Sequence, residues 1–199
     1  VLDHGRFPPG VFGNVATGYT GSVTLSLPSQ PIGGGTLSST LDPTLAKNAT
    51  SGVASFTDLV ITGKAGNYTL RATGAGVLAG VYVESDPVIA LAAAAATKLS
   101  ITTQPSGAVN NVALTQQPVV KALDPDDNVD LNYTGTVTAT IATRPAGGSE
   151  TLTNDTKAAS LGVATFSGFK ITGKSGSGYS LYFNANATGG GAFAQVTSS

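Results

Sequence analysis

Small and apolar residues alternate with Ser and Thr along Gly52-Val-Ala-Ser-Phe-Thr-Asp-Leu-Val-Ile-Thr-Gly-Lys64, the period of two that a half-buried β-strand requires. The same pattern returns as Gly162-Val-Ala-Thr-Phe-Ser-Gly-Phe-Lys-Ile-Thr-Gly-Lys174. A second pair of matching stretches, Gly18 to Leu27 and Asn132 to Ile141, lies upstream of each copy. A third, Gly66-Asn-Tyr-Thr-Leu70 against Gly178-Tyr-Ser-Leu181, follows. Strands are also expected at Val77 to Val83, Leu99 to Thr103, Val112 to Ala122 and Ala192 to Thr197, with turns at Gly33-Gly-Gly35 and Pro105-Ser-Gly107. Tyr68 and Tyr179 open their strands, where a tyrosine at a sandwich corner packs its ring inside and bonds its hydroxyl to backbone.

A match this dense at a fixed offset identifies two tandem copies of one module, each of about 100 residues. The expected domains are residues 1–92 and 98–199, joined by a short Ala-rich connector at 93–97. The connector is too short for an isolated helix to be stable in water. The second copy carries 25 residues, Thr97 to Lys121, that the first lacks, and Val1-Leu2-Asp3 falls near Ala122-Leu123-Asp124. The first copy is therefore expected to want its opening strands. Three explanations stand open: the sequence is a segment of a longer repeat protein, a neighbouring subunit supplies the strand by edge pairing, or Val1 to Phe12 closes the sandwich.

Composition sharpens this to an all-β chain. Gly, Thr, Ser, Ala and Val dominate, only 11% of the 199 residues are charged, and the net charge is −1. That balance offers no footprint for nucleic acid or an anionic membrane. The longest apolar run, Val88 to Ala96, is far short of the roughly 20 residues that span a bilayer. Neither nucleic-acid binding nor membrane insertion is expected. Cys, Met and Trp are absent, which excludes disulfides and thiolate metal sites and suits a protein outside the cell. A sequence without an initiator Met is expected to be processed or part of a longer chain.

Catalysis has little to work with. His4 is the only histidine, it sits in a Gly/Pro-rich stretch, and no Ser occupies a Gly-x-Ser-x-Gly elbow. Carboxylates cluster in one turn, Asp124-Pro-Asp-Asp-Asn-Val-Asp130, and not across a cleft as glycosidase chemistry needs. The chain is expected not to be an enzyme and to need no cofactor. Asp124, Asp126, Asn128 and Asp130 present hard oxygens at alternating positions, the candidate calcium set; the simpler reading is that Asp and Asn build the turn. Copy one offers only Asp3 near that place. Asn48, Asn67, Asn132, Asn154 and Asn186 each begin an Asn-x-Ser/Thr sequon, the candidate glycosylation sites, most of them beside expected turns.

Thr103-Gln-Pro105, Gln117-Pro-Val-Val120, Leu123-Asp-Pro-Asp-Asp-Asn128, Gly162-Val-Ala-Thr-Phe166, Ile171 and Tyr179-Ser-Leu181 together resemble the bacterial immunoglobulin-like repeats, of the Big or invasin type, found in surface and secreted proteins. The resemblance covers nearly all of copy two and copy one from Tyr19 onward. It implies two tandem immunoglobulin-like β-sandwich domains. It also implies a non-enzymatic extracellular or cell-surface role: a segment of a pilus-like filament or adhesin stalk, self-associating or continued by neighbouring repeats. Two alternatives share the fold, a glycan-binding or spacer module of a secreted enzyme and a viral fibre or capsid decoration domain. For the glycan-binding alternative only Tyr82 and Tyr182 are spare aromatics.

Overall fold

In the computed structural model, residues 14–187 and 190–199 are described. His4, Asp3 and the Val1 to Phe12 stretch lie outside the described residues. The chain is all-β, and its only helical element among the described residues is a 3-10 turn at Gly76–Leu78. It divides into two compact units between Ala92 and Ala93.

The first unit contains β1 (Ser22–Ser29), β2 (Gly35–Ser38), β3 (Ala46–Asn48), β4 (Val60–Gly63), β5 (Gly66–Gly74), β6 (Tyr82–Glu84) and β7 (Ile89–Leu91). Its main sheet runs β3-β1-β5-β6 with β7 also on β5, and β2 pairs with β4. The second unit contains β8 (Lys98–Thr103), β9 (Val119–Leu123), β10 (Thr136–Thr143), β11 (Thr151–Thr153), β12 (Thr156–Ala158), β13 (Val163–Thr165), β14 (Lys170–Thr172), β15 (Ser180–Asn184) and β16 (Val196–Thr197). Its sheets run β12-β10-β15-β16, β13-β9-β8 and β11-β14.

The duplication extends to hydrogen-bond register. Ser22 opposes Asn48 as Thr136 opposes Ala158, and Leu37 opposes Ile61 as Leu152 opposes Ile171. Ala72 opposes Val83 as Phe183 opposes Val196. Leu70 and Leu181 each donate their amide to a serine hydroxyl, Ser85 Oγ at 3.1 Å and Ser198 Oγ at 2.9 Å. Every strand pair except those containing β7, β8, β9 and β13 therefore has its counterpart in the other unit. A one-residue slip would turn each apolar set outward, so shared register reflects a shared pattern of inward positions.

Alternation places Val137 and Ala139 of β10, Leu181 and Phe183 of β15, Leu99 of β8, Val120 and Ala122 of β9 and Ala164 of β13 in one buried cluster. Phe166 meets Phe169 and Phe183 edge-on, with centroids 6.0 and 5.6 Å apart, the arrangement aromatic quadrupoles favour. Two sheets thus close on one core, as in a sandwich. Among the described residues seventeen buried hydrophobic side chains belong to the second unit and five to the first, and in the second unit β8 and β9 form the sheet that faces β10 and β15 across the core.

Both strand-opening tyrosines pack as the corner pattern requires. Tyr68 is fully buried, and its hydroxyl donates to Lys64 O at 2.7 Å with Gly34 O at 3.2 Å. Tyr179 donates to Lys174 O at 2.6 Å, with Glu150 Oε1 at 3.1 Å. Tyr68→Phe is expected to cost the first unit about 1–2 kcal/mol, because the ring remains while two inward carbonyls lose their donor. Urea denaturation followed by amide exchange at β5 measures it.

Several expected strands are shorter than their alternation implies. Val77 to Val83 is a 3-10 turn followed by β6, which begins only at Tyr82, and only Val196–Thr197 of the last stretch forms a strand. Of Val112 to Ala122 only the segment from Val119 is in a ladder; Val112 and Ala113 make isolated bridges, to Val109 and Lys170. Conversely, the polar stretch from Thr36 to Ser51 contains most of β2 and all of β3. Propensity there is overruled by the edge that β1 and β4 present.

Candidate functional site

The acidic turn closes on itself. Asp124 is 2% exposed; its Oδ1 accepts the amides of Asp126 and Asn128, both at 2.9 Å. Its Oδ2 accepts Asn128 Nδ2 and the Ala94 amide, both at 3.0 Å. Buried Asp130 accepts the Asn132 amide on Oδ1 and the Ala96 amide on Oδ2, both at 2.9 Å. The two carboxylates thus cap the returning turn and pin the alanine-rich segment ahead of β8. Burial pushes the Asp124 carboxyl up, but the donors from Asn128, Ala94 and Asp126 outweigh it and hold it below the ordinary carboxylate range.

Of the four candidate calcium ligands, Asp124, Asn128 and Asp130 are buried and Asp126 is exposed. Among the described residues no three acidic, histidine or cysteine side chains converge so as to hold a metal. Nearby, Lys98 pairs with Asp127 at 2.7 Å.

The first unit builds a different carboxylate-capped loop, which no sequence pattern had singled out. Asp58 accepts Ser39 Oγ at 2.6 Å, the Thr40 amide at 2.7 Å, the Leu41 amide at 3.1 Å and the Thr40 hydroxyl. The Ser39 hydroxyl, then the Thr40 hydroxyl and the two amides, outweigh desolvation and lower its pKa to about 2. Its folded value is depressed, so its contribution is complete above the unfolded value of about 3.9 and disappears as pH falls through about 2. Amide exchange at Thr40 and Leu41 is expected to accelerate over that window, and an Asp58→Asn variant is expected to lose the pH dependence. The second unit has Gly168 in this place, in the same left-handed conformation, with φ +62° against +52° for Asp58.

All five sequon asparagines are exposed. Asn132 and Asn154 sit in turns, Asn48 ends β3, Asn67 lies inside β5 opposite Ala90, and Asn186 bridges Ala192; Thr188 of the last sequon is outside the described residues. Asn154 donates Nδ2 to Gly168 O at 3.0 Å. Of the two spare aromatics, Tyr182 is half-buried in β15, and Tyr82 is 54% exposed with the Arg71 guanidinium 4.2 Å from its ring centroid. One face of that ring is thereby occupied. Tyr19 and Tyr133 are spent on backbone, bonding Ala75 O at 2.9 Å and Asn186 O at 2.8 Å.

The duplicated stretch is paired differently in the two units. In the second unit Val163–Thr165 forms β13 against β9, with Val163 opposite Lys121 and Thr165 opposite Val119. In the first unit Ala54 to Thr57 has no ladder, and Val53 makes only a bridge to Thr50. Phe166 is 2% exposed, whereas Phe56 is only half-buried. Both stretches turn in at a glycine, Gly52 at φ +79° and Gly162 at φ +74°. A side chain there would strike the carbonyl of Ala16 or Asp130 as well as being strained.

No family model matches the chain, and no curated protein matches it. Among the described residues no helix is long and apolar enough to cross a membrane.

Proposed function

We infer that this protein is a non-enzymatic structural repeat of the bacterial immunoglobulin-like kind. On this reading it is extracellular or at a cell surface and forms part of a filament or adhesin stalk. Its mechanism is mechanical: closed sheets make stiff beads, and sparse charge with Thr- and Ser-rich faces limits indiscriminate contact.

The observation that carries this reading is how the polar side chains are used. Tyr19, Tyr68, Tyr133 and Tyr179 bond backbone carbonyls, and Asp58, Asp124 and Asp130 cap backbone amides. These groups hold strands and loops in shape and are not aimed together at a point where a substrate would sit. The exposed sequons are compatible with a glycosylated outer surface. Electron microscopy of the purified chain over a range of concentrations tests the filament. End-to-end or edge-associated particles are expected, and strictly single particles under all conditions would overturn it.

A further inference from the structure

We propose that the joint between the two units is only two residues long, Ala92 and Ala93, and that its length is set by Asp124 and Asp130, which clamp the rest of the alanine-rich segment to the second unit. The proposal does not rest on the extracellular reading. It follows from where the backbone amides of that segment go.

The first unit holds the chain as far as Leu91, the last residue of β7, which lies opposite Gly66 of β5. The second unit takes hold at Ala94. Asp124 Oδ2 accepts the Ala94 amide at 3.0 Å, and Asp130 Oδ2 accepts the Ala96 amide at 2.9 Å. The Thr97 amide then donates to Leu123 O at 2.8 Å, and β8 begins at Lys98. Ala96 is held in a second way, because it is buried in the core cluster of the second unit. Most of the segment expected as a connector therefore belongs to the fold that follows it.

Both carboxylates are themselves fixed. The remaining oxygen of Asp124 accepts the Asp126 and Asn128 amides, and that of Asp130 accepts the Asn132 amide. Charged acceptors hold an amide more strongly than a neutral carbonyl does. These two are buried, at 2% and 5% exposure, which keeps water from competing for the same amides.

The magnitude that matters is reach. Leu91 and Ala94 are separated by three residue steps, which span at most about 11 Å of extended chain. Released as far as Thr97, the same tether has six steps and reaches about 22 Å. Alanine methyl groups offer no polar contact that would hold such a segment, and it is too short to stiffen itself as a helix. The acidic turn, and not the composition of the connector, thus limits the tether.

Backbone nitrogen relaxation and amide exchange on the full chain test this. In the unmodified protein, low heteronuclear NOE values between β7 and β8 are expected at Ala92 and Ala93, with Ala94 and Ala96 as ordered as β8. Asp124→Ala and Asp130→Ala are expected to speed exchange about tenfold at the amide each releases, Ala94 and Ala96 in turn, as loss of one charge-assisted hydrogen bond implies. Together they are expected to carry the low NOE values through Ala96 while β15 stays protected. Replacing Ala92 and Ala93 by glycine leaves the turn intact, and is expected to lower the values at those two positions alone.

Ala94 and Ala96 as mobile as Ala92 in the unmodified chain overturn the proposal, whether or not the aspartate variants fold. Order at Ala92 and Ala93 equal to that of β7 and β8 also overturns it, since there would then be no joint. So does mobility that spreads past Ala93 in the glycine variant, or a folded aspartate variant in which the released amide exchanges no faster. Filament formation is read by a separate experiment, so either reading can fail alone.

Discussion

Phe166→Ala is expected to destabilise the second unit by about 3–5 kcal/mol, the cost of emptying a buried aromatic site. Phe56→Ala, at the matching place in an almost identical stretch, is expected to cost the first unit only about 1 kcal/mol, since a half-buried ring returns less apolar area to water. The ring of Phe166 is in contact with Phe169 and Phe183, and Ala164 two residues before it is fully buried. No comparable aromatic contact surrounds Phe56 among the described residues. The two units need not unfold together, so a single melting temperature would blur the comparison. Amide exchange in urea, followed at β5 for the first unit and β15 for the second, separates them. Equal losses would mean that Phe56 is packed as tightly as Phe166.

Asp124→Ala is expected to cost the second unit about 3 kcal/mol, because the Asn128 side chain and the amides of Ala94, Asp126 and Asn128 lose one acceptor at once. The individual penalties do not add, since a turn freed of its cap admits water. Asp124→Asn is expected to be milder, as an amide keeps one accepting oxygen. The pH dependence follows from the lowered carboxyl: its stabilisation is complete above the unfolded value of about 3.9 and is lost as pH falls below it. Thermal melts of the full chain at descending pH, compared with the Asn variant, read this directly. Because the Asp124 and Asp130 oxygens already accept protein N–H groups, adding calcium or a chelator is expected to leave the melting of the second unit unchanged. A rise with calcium would restore the cation-site reading of Asp124, Asp126, Asn128 and Asp130.

Much of the architecture was legible because it depends on local pattern. Period-two alternation in Ser22 to Leu27 and its partner foretold β1 and β10, and the position of Tyr68 and Tyr179 foretold their hydroxyl bonds. The loop built on Asp58 was not legible. An aspartate in the left-handed region bonding Ser39 and Thr40, nearly twenty residues upstream, leaves no spacing signal, and its partner position in the other copy is a glycine. β3 and β11 were missed for a related reason, since a three-residue stretch with one apolar side chain between or beside polar ones becomes a strand only when an edge is there to receive it.

What the sequence determined by itself is the all-β class, the duplication and the inward set of each strand, because these follow from side-chain alternation and turn residues along a continuous stretch. Only the tertiary structure decided whether that alternation became a buried strand. Gly162 to Phe166 has β9 beside it; Gly52 to Phe56 carries nearly the same residues and, among the described residues, has no such ladder. A strand's backbone bonds and half of its burial come from a neighbour distant in the chain, so identical segments reach different ends where that neighbour differs.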